Sequence, residues 1–187
     1  MTTEIEIPAA LPRGGDVTGR RVVLTGAGRG LGRVLAHAFS QAGARLVLVA
    51  RTEGDLKALA AELPGPSLVC AGDVRDEAVN EAAADAAVEE WGGLDVWIAN
   101  AGISPIVAGP RQTDLDVWRR VLEVNLTAGF LAARAATRVM GEGGRLIFTG
   151  SVLGERPARG LAAYSASKAG LVGMAKALAL DLSLIHI

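Results

Sequence analysis

The sequence predicts an α/β protein: a doubly wound parallel sheet in three αβα layers. Three observations predict it. Short apolar runs alternate with longer segments of helical pattern along the chain. The apolar runs are continuous rather than alternating, the pattern of strands covered on both faces. Glycine, with 24 copies, closes helical segments and follows strands. Strand–helix repetition with right-handed crossovers winds such a chain into one layer of parallel strands.

The elements follow in order. "RVVLTG" (Arg21 to Gly26) is the first strand with its turn, and Leu31 to Ala42 reads as a helix ended by Gly43. "RLVLVA" (Arg45 to Ala50) is the second strand; Thr52 to Leu63 is helical and stops at "PGP". "SLVCAGDV" is the third strand, followed by an Ala- and Glu-rich helix from Asp76 to Trp91 that Gly92 and Gly93 close. "LDVWIANAG" is the fourth strand, and Asp114 to Met140 is a long helix closed by Gly141, Gly143 and Gly144. "RLIFTGS" is the fifth strand, and Leu161 to about Leu182 is the last helix.

A chain of 187 residues suits one domain with a substantial core. The acidic, Pro-interrupted residues 1–15 read as a loose arm and 16–181 as the domain. The net charge is −1 with both signs interspersed, and no basic stripe with aromatics marks a nucleic-acid partner. No run reaches the ~18 apolar residues of a membrane span. The start lacks the basic and apolar regions of a signal peptide. A soluble cytoplasmic protein is expected. The single cysteine, Cys70, excludes an internal disulfide framework and fits a reducing compartment. It reads as a small buried hydrophobe rather than a reactive thiol. His37 has no ligand-like neighbours, so no metal site is expected.

In such sheets ligands sit outside the carboxyl ends of the strands, so the residues after each strand matter most. After the first comes "TGAGRGLG", Thr25 to Gly32. G-x-G-x-x-G fails in both registers, because the last position is Leu31 or Arg33. T-G-x-x-x-G-x-G fits through Thr25, Gly26, Gly30 and Gly32. Such a loop either makes a tight turn or wraps a pyrophosphate whose charge faces the helix N-terminus. Strand before and helix after favour the cofactor, with Arg29 and Leu31 beside it. At the second strand's end a carboxylate would bind the ribose 2′-hydroxyl of NAD. Ala50 and Arg51 stand there instead; Glu53 and Asp55 come later. Arg51, with Arg29, suits a 2′-phosphate, or the two are solvated arginines. NADP(H) is favoured, with NAD(H) the alternative. After the third strand, Asp73, with Val74 beside it, either accepts from an adenine amino group or is a turn carboxylate. Asn100, Ala101 and Gly102 make a small polar loop, open to a cofactor or merely a turn. Ser151 falls at the same sheet edge after the fifth strand.

Trp118, Leu122, Asn125 and Leu126 share one apolar helical stripe, so Asn125 is expected to be buried. A buried amide needs partners, either local ones or a water chain. Tyr164 is the only tyrosine, and Lys168 follows one helical turn later.

Thr25-Gly26-x-x-x-Gly30-x-Gly32, Asn100-Ala101-Gly102, Asn125, Ser151 and Tyr164-x-x-x-Lys168 appear in that order. Together, over about residues 16 to 182, they resemble the classical short-chain dehydrogenase/reductase family. The resemblance implies a Rossmann fold and interconversion of a secondary alcohol and a ketone (or aldehyde) with NADP(H). It implies Tyr164 as general acid/base and Lys168 as the cation that favours its phenolate and bonds the nicotinamide ribose. It implies Ser151 as the holder of the substrate oxygen and Asn125 as support for a water relay. Hydride passes directly between cofactor and substrate, so no metal is needed. The family commonly forms homodimers or homotetramers. Ile103, Pro105, Ile106, Val152 and Leu153 would line the substrate side, without naming the substrate. A non-catalytic dinucleotide sensor is one alternative. A related epimerase or dehydratase is another, but its usual T-G-x-x-G-x-x-G fails because position 29 is Arg.

Members of the family continue past the last helix, so C-terminal elements are expected to be missing here. Leu182 to Ile187 match, codon for codon, CTG TCT CTT ATA CAC ATC, a transposon-end sequence used in preparing sequencing libraries. The expectation is a reading frame that runs from a gene fragment into adapter. The chain alone is then expected to be poorly soluble and nearly inactive.

Overall fold

The computed structural model describes residues 17–105 and 107–183, with backbone alone for Ser183. The arm expected over residues 1–15, Ile106 and residues 184–187 of the expected tail lie outside the described residues.

The strands are β1 Arg21–Thr25, β2 Arg45–Ala50, β3 Ser67–Ala71, β4 Leu94–Ala99 and β5 Met140–Phe148. The helices are α1 Gly30–Gln41, α2 Glu53–Glu62, α3 Glu77–Trp91, α4 Leu115–Leu122, α5 Ala128–Val139 and α6 Ala162–Ser183. They form a parallel five-stranded sheet flanked by helices, in the order β3-β2-β1-β4-β5. β1 pairs with β2 from Arg21 opposite Arg45 to Thr25 opposite Val49, and with β4 on its other side. This is the Rossmann-like α/β layer that the strand–helix alternation predicts.

The described residues form two compact units, one within Met1–Ala101 and Leu131–Ile147, the other within Gly102–Phe130 and Phe148–Ile187. In the first unit, Val22, Leu24, Leu46, Leu48, Leu56 and Leu59 are wholly buried. Each such side chain contributes about 1.5–3 kcal/mol relative to exposure; the first four lie in the uninterrupted apolar runs that become β1 and β2, and Leu56 and Leu59 lie on α2. An ion pair fastens the sheet's starting edge. Arg21 grips Asp95 through Nε and a terminal nitrogen, each at 2.8 Å, and its backbone N–H donates to the same carboxylate at 2.8 Å. Asp76 caps α3 by accepting from Ala78 N at 3.0 Å, and Gly92, at φ 76°, closes it.

Four elements depart from expectation. β3 and β4 stop before "GDV" and "NAG", which are loop. β5 begins at Met140, directly after the helix, and residues 141–145 are exposed. Its glycine-rich start offers little to bury, and it lies at the sheet's edge. The long helix contains a π-helical turn, Glu123–Thr127, between α4 and α5.

In the second unit α6 packs against α4 and against a 3-10 turn, Val152–Gly154. Among the described residues no helix is long and apolar enough to cross a membrane, and no cluster of His, Cys, Asp or Glu is suited to a metal. Cys70 is half-buried, and burial pushes its thiol above the usual range.

Candidate active site

The first unit holds the glycine loop. Thr25 is buried at the end of β1 and its hydroxyl ties the loop to the end of β4. It donates to Ile98 O at 3.4 Å and accepts from Asn100 N at 3.0 Å and Ala101 N at 3.1 Å. Asn100 Nδ2 returns a bond to Thr25 O at 3.1 Å. Thr25 and Asn100, both singled out in sequence, are thus brought together. Gly26 has φ 69°, and a Cβ there would stand 2.9 Å from Ala101 Cα. A Cβ at Gly32 would overlap the Gly26 carbonyl oxygen. Only glycine permits this closeness of strand, loop and helix.

Nothing lies within 4 Å of where a Cβ at Gly30 would point. α1 starts at Gly30 with no side-chain cap and no acid in its first turn. Its first N–H groups therefore face outward with a positive helix end behind them, as a phosphate requires. The loop fits a dinucleotide on these grounds. Leu31 is half exposed in the first turn. Arg29 and Arg51 are exposed, and neither guanidinium makes a hydrogen bond or ion pair among the described residues. Asp73, by contrast, is occupied: Arg75 donates to it from its backbone N at 3.0 Å, from Nε at 3.1 Å and from a terminal nitrogen at 2.8 Å. These bonds hold the Asp73 carboxyl below its usual range, with Arg51 adding a smaller effect. Val74 beside it is buried.

The second unit gathers Asn125, Ser151, Tyr164 and Lys168. Tyr164 and Lys168 lie one turn apart on α6, and Lys168 Nζ stands 5.8 Å from the centre of the Tyr164 ring. Lys168 is only 4% exposed, an uncommon position for an ammonium. Burial lowers its pKa below the usual lysine range. Its amine donates to Thr149 O at 2.6 Å, which fastens α6 to the strand exit two residues before Ser151. The 3-10 turn after Ser151 reaches the same place, for a Cβ at Gly154 would stand 2.9 Å from the Lys168 carbonyl carbon. Ser151 Oγ accepts from Leu153 N at 3.2 Å, which leaves its proton free to donate.

Asn125 sits in the π-helical turn, 3% exposed. Its Oδ1 accepts from Ile103 N at 2.8 Å, and its Nδ2 donates to Ile103 O at 2.9 Å and Ser167 Oγ at 3.1 Å. Ser167, wholly buried, donates a hydrogen bond from its own hydroxyl to Tyr164 O at 2.7 Å. Sequence reasoning missed Ser167, whose only signal is a small hydroxyl one residue before Lys168. It also missed the Thr149 carbonyl, because a backbone acceptor leaves no signature. Gly102 begins the segment that leads to Ile103; Ile106 lies outside the described residues.

Fold and loop define a Rossmann-type α/β protein whose glycine-rich turn opens the first helix. Residues 20–187 match the short chain dehydrogenase family, and the chain belongs to it. It is 36% identical over 166 residues to 3beta-hydroxysteroid dehydrogenase 2 of Eggerthella lenta, an alignment covering 86% of this chain and 64% of that protein. It is 33% identical over 167 residues to 3-oxoacyl-(acyl-carrier-protein) reductase of Escherichia coli (strain K12), covering 88% of this chain and 68% of the relative. A solved short chain dehydrogenase from Burkholderia cenocepacia J2315 in complex with NADP matches with a TM-score of 0.84 at 34% identity, over 90% of this chain and 70% of that one. The chain spans about two thirds of the length of these curated relatives.

Proposed function

We propose that this chain belongs to an NADP(H)-dependent oxidoreductase that interconverts a secondary alcohol and a ketone, or a primary alcohol and an aldehyde. One observation carries the proposal: a buried lysine amine, fastened to Thr149 O, lies 5.8 Å from the ring of the only tyrosine. Burying an ammonium is unfavourable, and fold stability alone does not call for it. NADP(H), when bound, supplies the hydride in reduction and takes it in oxidation. Tyr164 gives its proton to the substrate oxygen in reduction and recovers it in oxidation. A positive charge on Lys168 favours the phenolate left behind. Ser151 donates its free proton to the same substrate oxygen and fixes its position. Asn125 and Ser167 hold the Tyr164 turn of α6 in place through its carbonyl.

The preference for NADP(H) is supported by the two unpaired arginines, Arg29 and Arg51, and by the NADP bound to the Burkholderia relative. The relatives' names, a hydroxysteroid dehydrogenase and an oxoacyl reductase, support alcohol–carbonyl chemistry without choosing a substrate. A cytoplasmic location and a homodimer or homotetramer accompany the reading, the assembly alone supported by exposed Val172 and Leu180 on α6. The test is a panel of ketones, aldehydes and secondary alcohols, offered to the full-length gene product and followed by nicotinamide absorbance. Turnover faster with NADPH than with NADH is expected. Cofactor binding without turnover of any carbonyl would replace the enzyme by a dinucleotide sensor.

A further inference from the structure

The loops after β1, β2 and β3 carry the charges that a nucleotide's ribose end would meet. Most are committed. Asp73 is held by Arg75, Asp76 caps α3, and Glu53 pairs with Lys57 at 2.8 Å. Three are unpaired among the described residues: Arg29, Arg51 and Asp55. Asp55 stands in the first turn of α2, four residues past Arg51, yet the helix brings it back to the glycine loop. A Cβ at Gly28 would lie 3.4 Å from Asp55 Cβ, 3.6 Å from Ala50 Cβ and 3.9 Å from Asp55 Oδ2. The carboxylate therefore leans on the loop between β1 and α1, next to Arg29.

We propose that Asp55 is a specificity-determining residue that opposes Arg29 and Arg51. The proposal rests on the nucleotide-binding reading above and deepens it. A 2′-phosphate near the two arginines also feels the Asp55 carboxylate, and a 2′-hydroxyl does not. The chain therefore discriminates less against NAD(H) than its two arginines alone dictate. At a wet surface, like charges several ångströms apart weaken binding by about three- to tenfold, and salt screens the effect. A first-turn carboxylate also stabilises its helix, but that role moves unfolding and not the choice between cofactors. Glu53, in the same turn and turned to Lys57, separates the two.

The experiment measures NADPH and NADH dissociation constants by nicotinamide fluorescence, at low and high salt. The full-length gene product is compared with its Asp55→Asn and Glu53→Gln variants. Asp55→Asn is expected to tighten NADPH by about three- to tenfold while leaving NADH within about twofold, with the gain shrinking at high salt. Glu53→Gln is expected to leave the ratio unchanged. An unchanged NADPH/NADH ratio in Asp55→Asn overturns the proposal, as does an equal shift in both variants. Failure of the unaltered protein to bind either dinucleotide overturns the nucleotide-binding reading instead, and the proposal with it.

Discussion

Lys168 illustrates a residue whose chemistry and packing pull in opposite directions. Its amine is buried with a single hydrogen-bond acceptor among the described residues, the Thr149 carbonyl, and burial lowers its pKa. The folded state then holds its proton less tightly than the unfolded state. Stability therefore rises as pH climbs from the folded value towards the ordinary lysine range. Replacing the amine by an apolar chain of similar shape removes the desolvation penalty. Lys168→Met is expected to raise unfolding stability by about 1 kcal/mol near pH 7, to flatten the alkaline rise, and to depress turnover. Urea titrations at neutral and alkaline pH read the first two; a variant less stable than the parent would contradict this account. Ser167 is the opposite case. It bridges Asn125 Nδ2 and the Tyr164 carbonyl with no exposure, so Ser167→Ala leaves an amide proton without its acceptor. A loss of about 1–3 kcal/mol in urea unfolding is expected. The residues of the Tyr–Lys pair were legible in sequence because one helical turn places them together. Ser167 was not, because its partner lies 42 positions away. Asp55 comes four residues after Arg51 in the chain, and only the turn of α2 brings it beside Gly28, which counting along the strand does not show.

Among the elements, β2 matched its expected range, Arg45 to Ala50, because a continuous apolar run is bounded by Gly43 and Arg51. The π-helical turn was invisible. It leaves Asn125 on the buried side, so the apolar stripe reads the same with or without it. The start of β5 was misread for a different reason. Three glycines stop a helix by local preference, and the chain then runs straight on as the edge strand, which glycine content does not signal. The ion pair at the starts of β1 and β4 makes a measurable claim at this scale. Arg21 holds the Asp95 carboxyl down to about 2, through hydrogen bonds first and charge second. A depressed carboxyl contributes stability above its unfolded value and loses it as pH falls through the folded one. Asp95→Asn is therefore expected to lower stability by about 2 kcal/mol at neutral pH and to remove an acid transition between about pH 4 and pH 2. An unchanged acid limb in urea unfolding across that range would contradict the assignment.

For the whole molecule, the fold class and the family were legible because motif order and strand–helix alternation are properties of the sequence. Substrate was not, since it depends on side chains that no motif fixes. Large apolar side chains remain exposed: Phe130 at 48%, Ile147 at 43% and Leu180 at 68%. The 187-residue chain is accordingly expected to associate as its concentration rises, which light scattering measures. A monodisperse monomer at high concentration would contradict that expectation. The central claim is that the Tyr164 hydroxyl moves the proton. Its most direct test is NADPH oxidation by Tyr164→Phe in the full-length gene product, with NADPH affinity measured on the same sample. The account predicts a roughly hundred- to ten-thousandfold loss of turnover with affinity unchanged. Turnover matching the unaltered protein would contradict it.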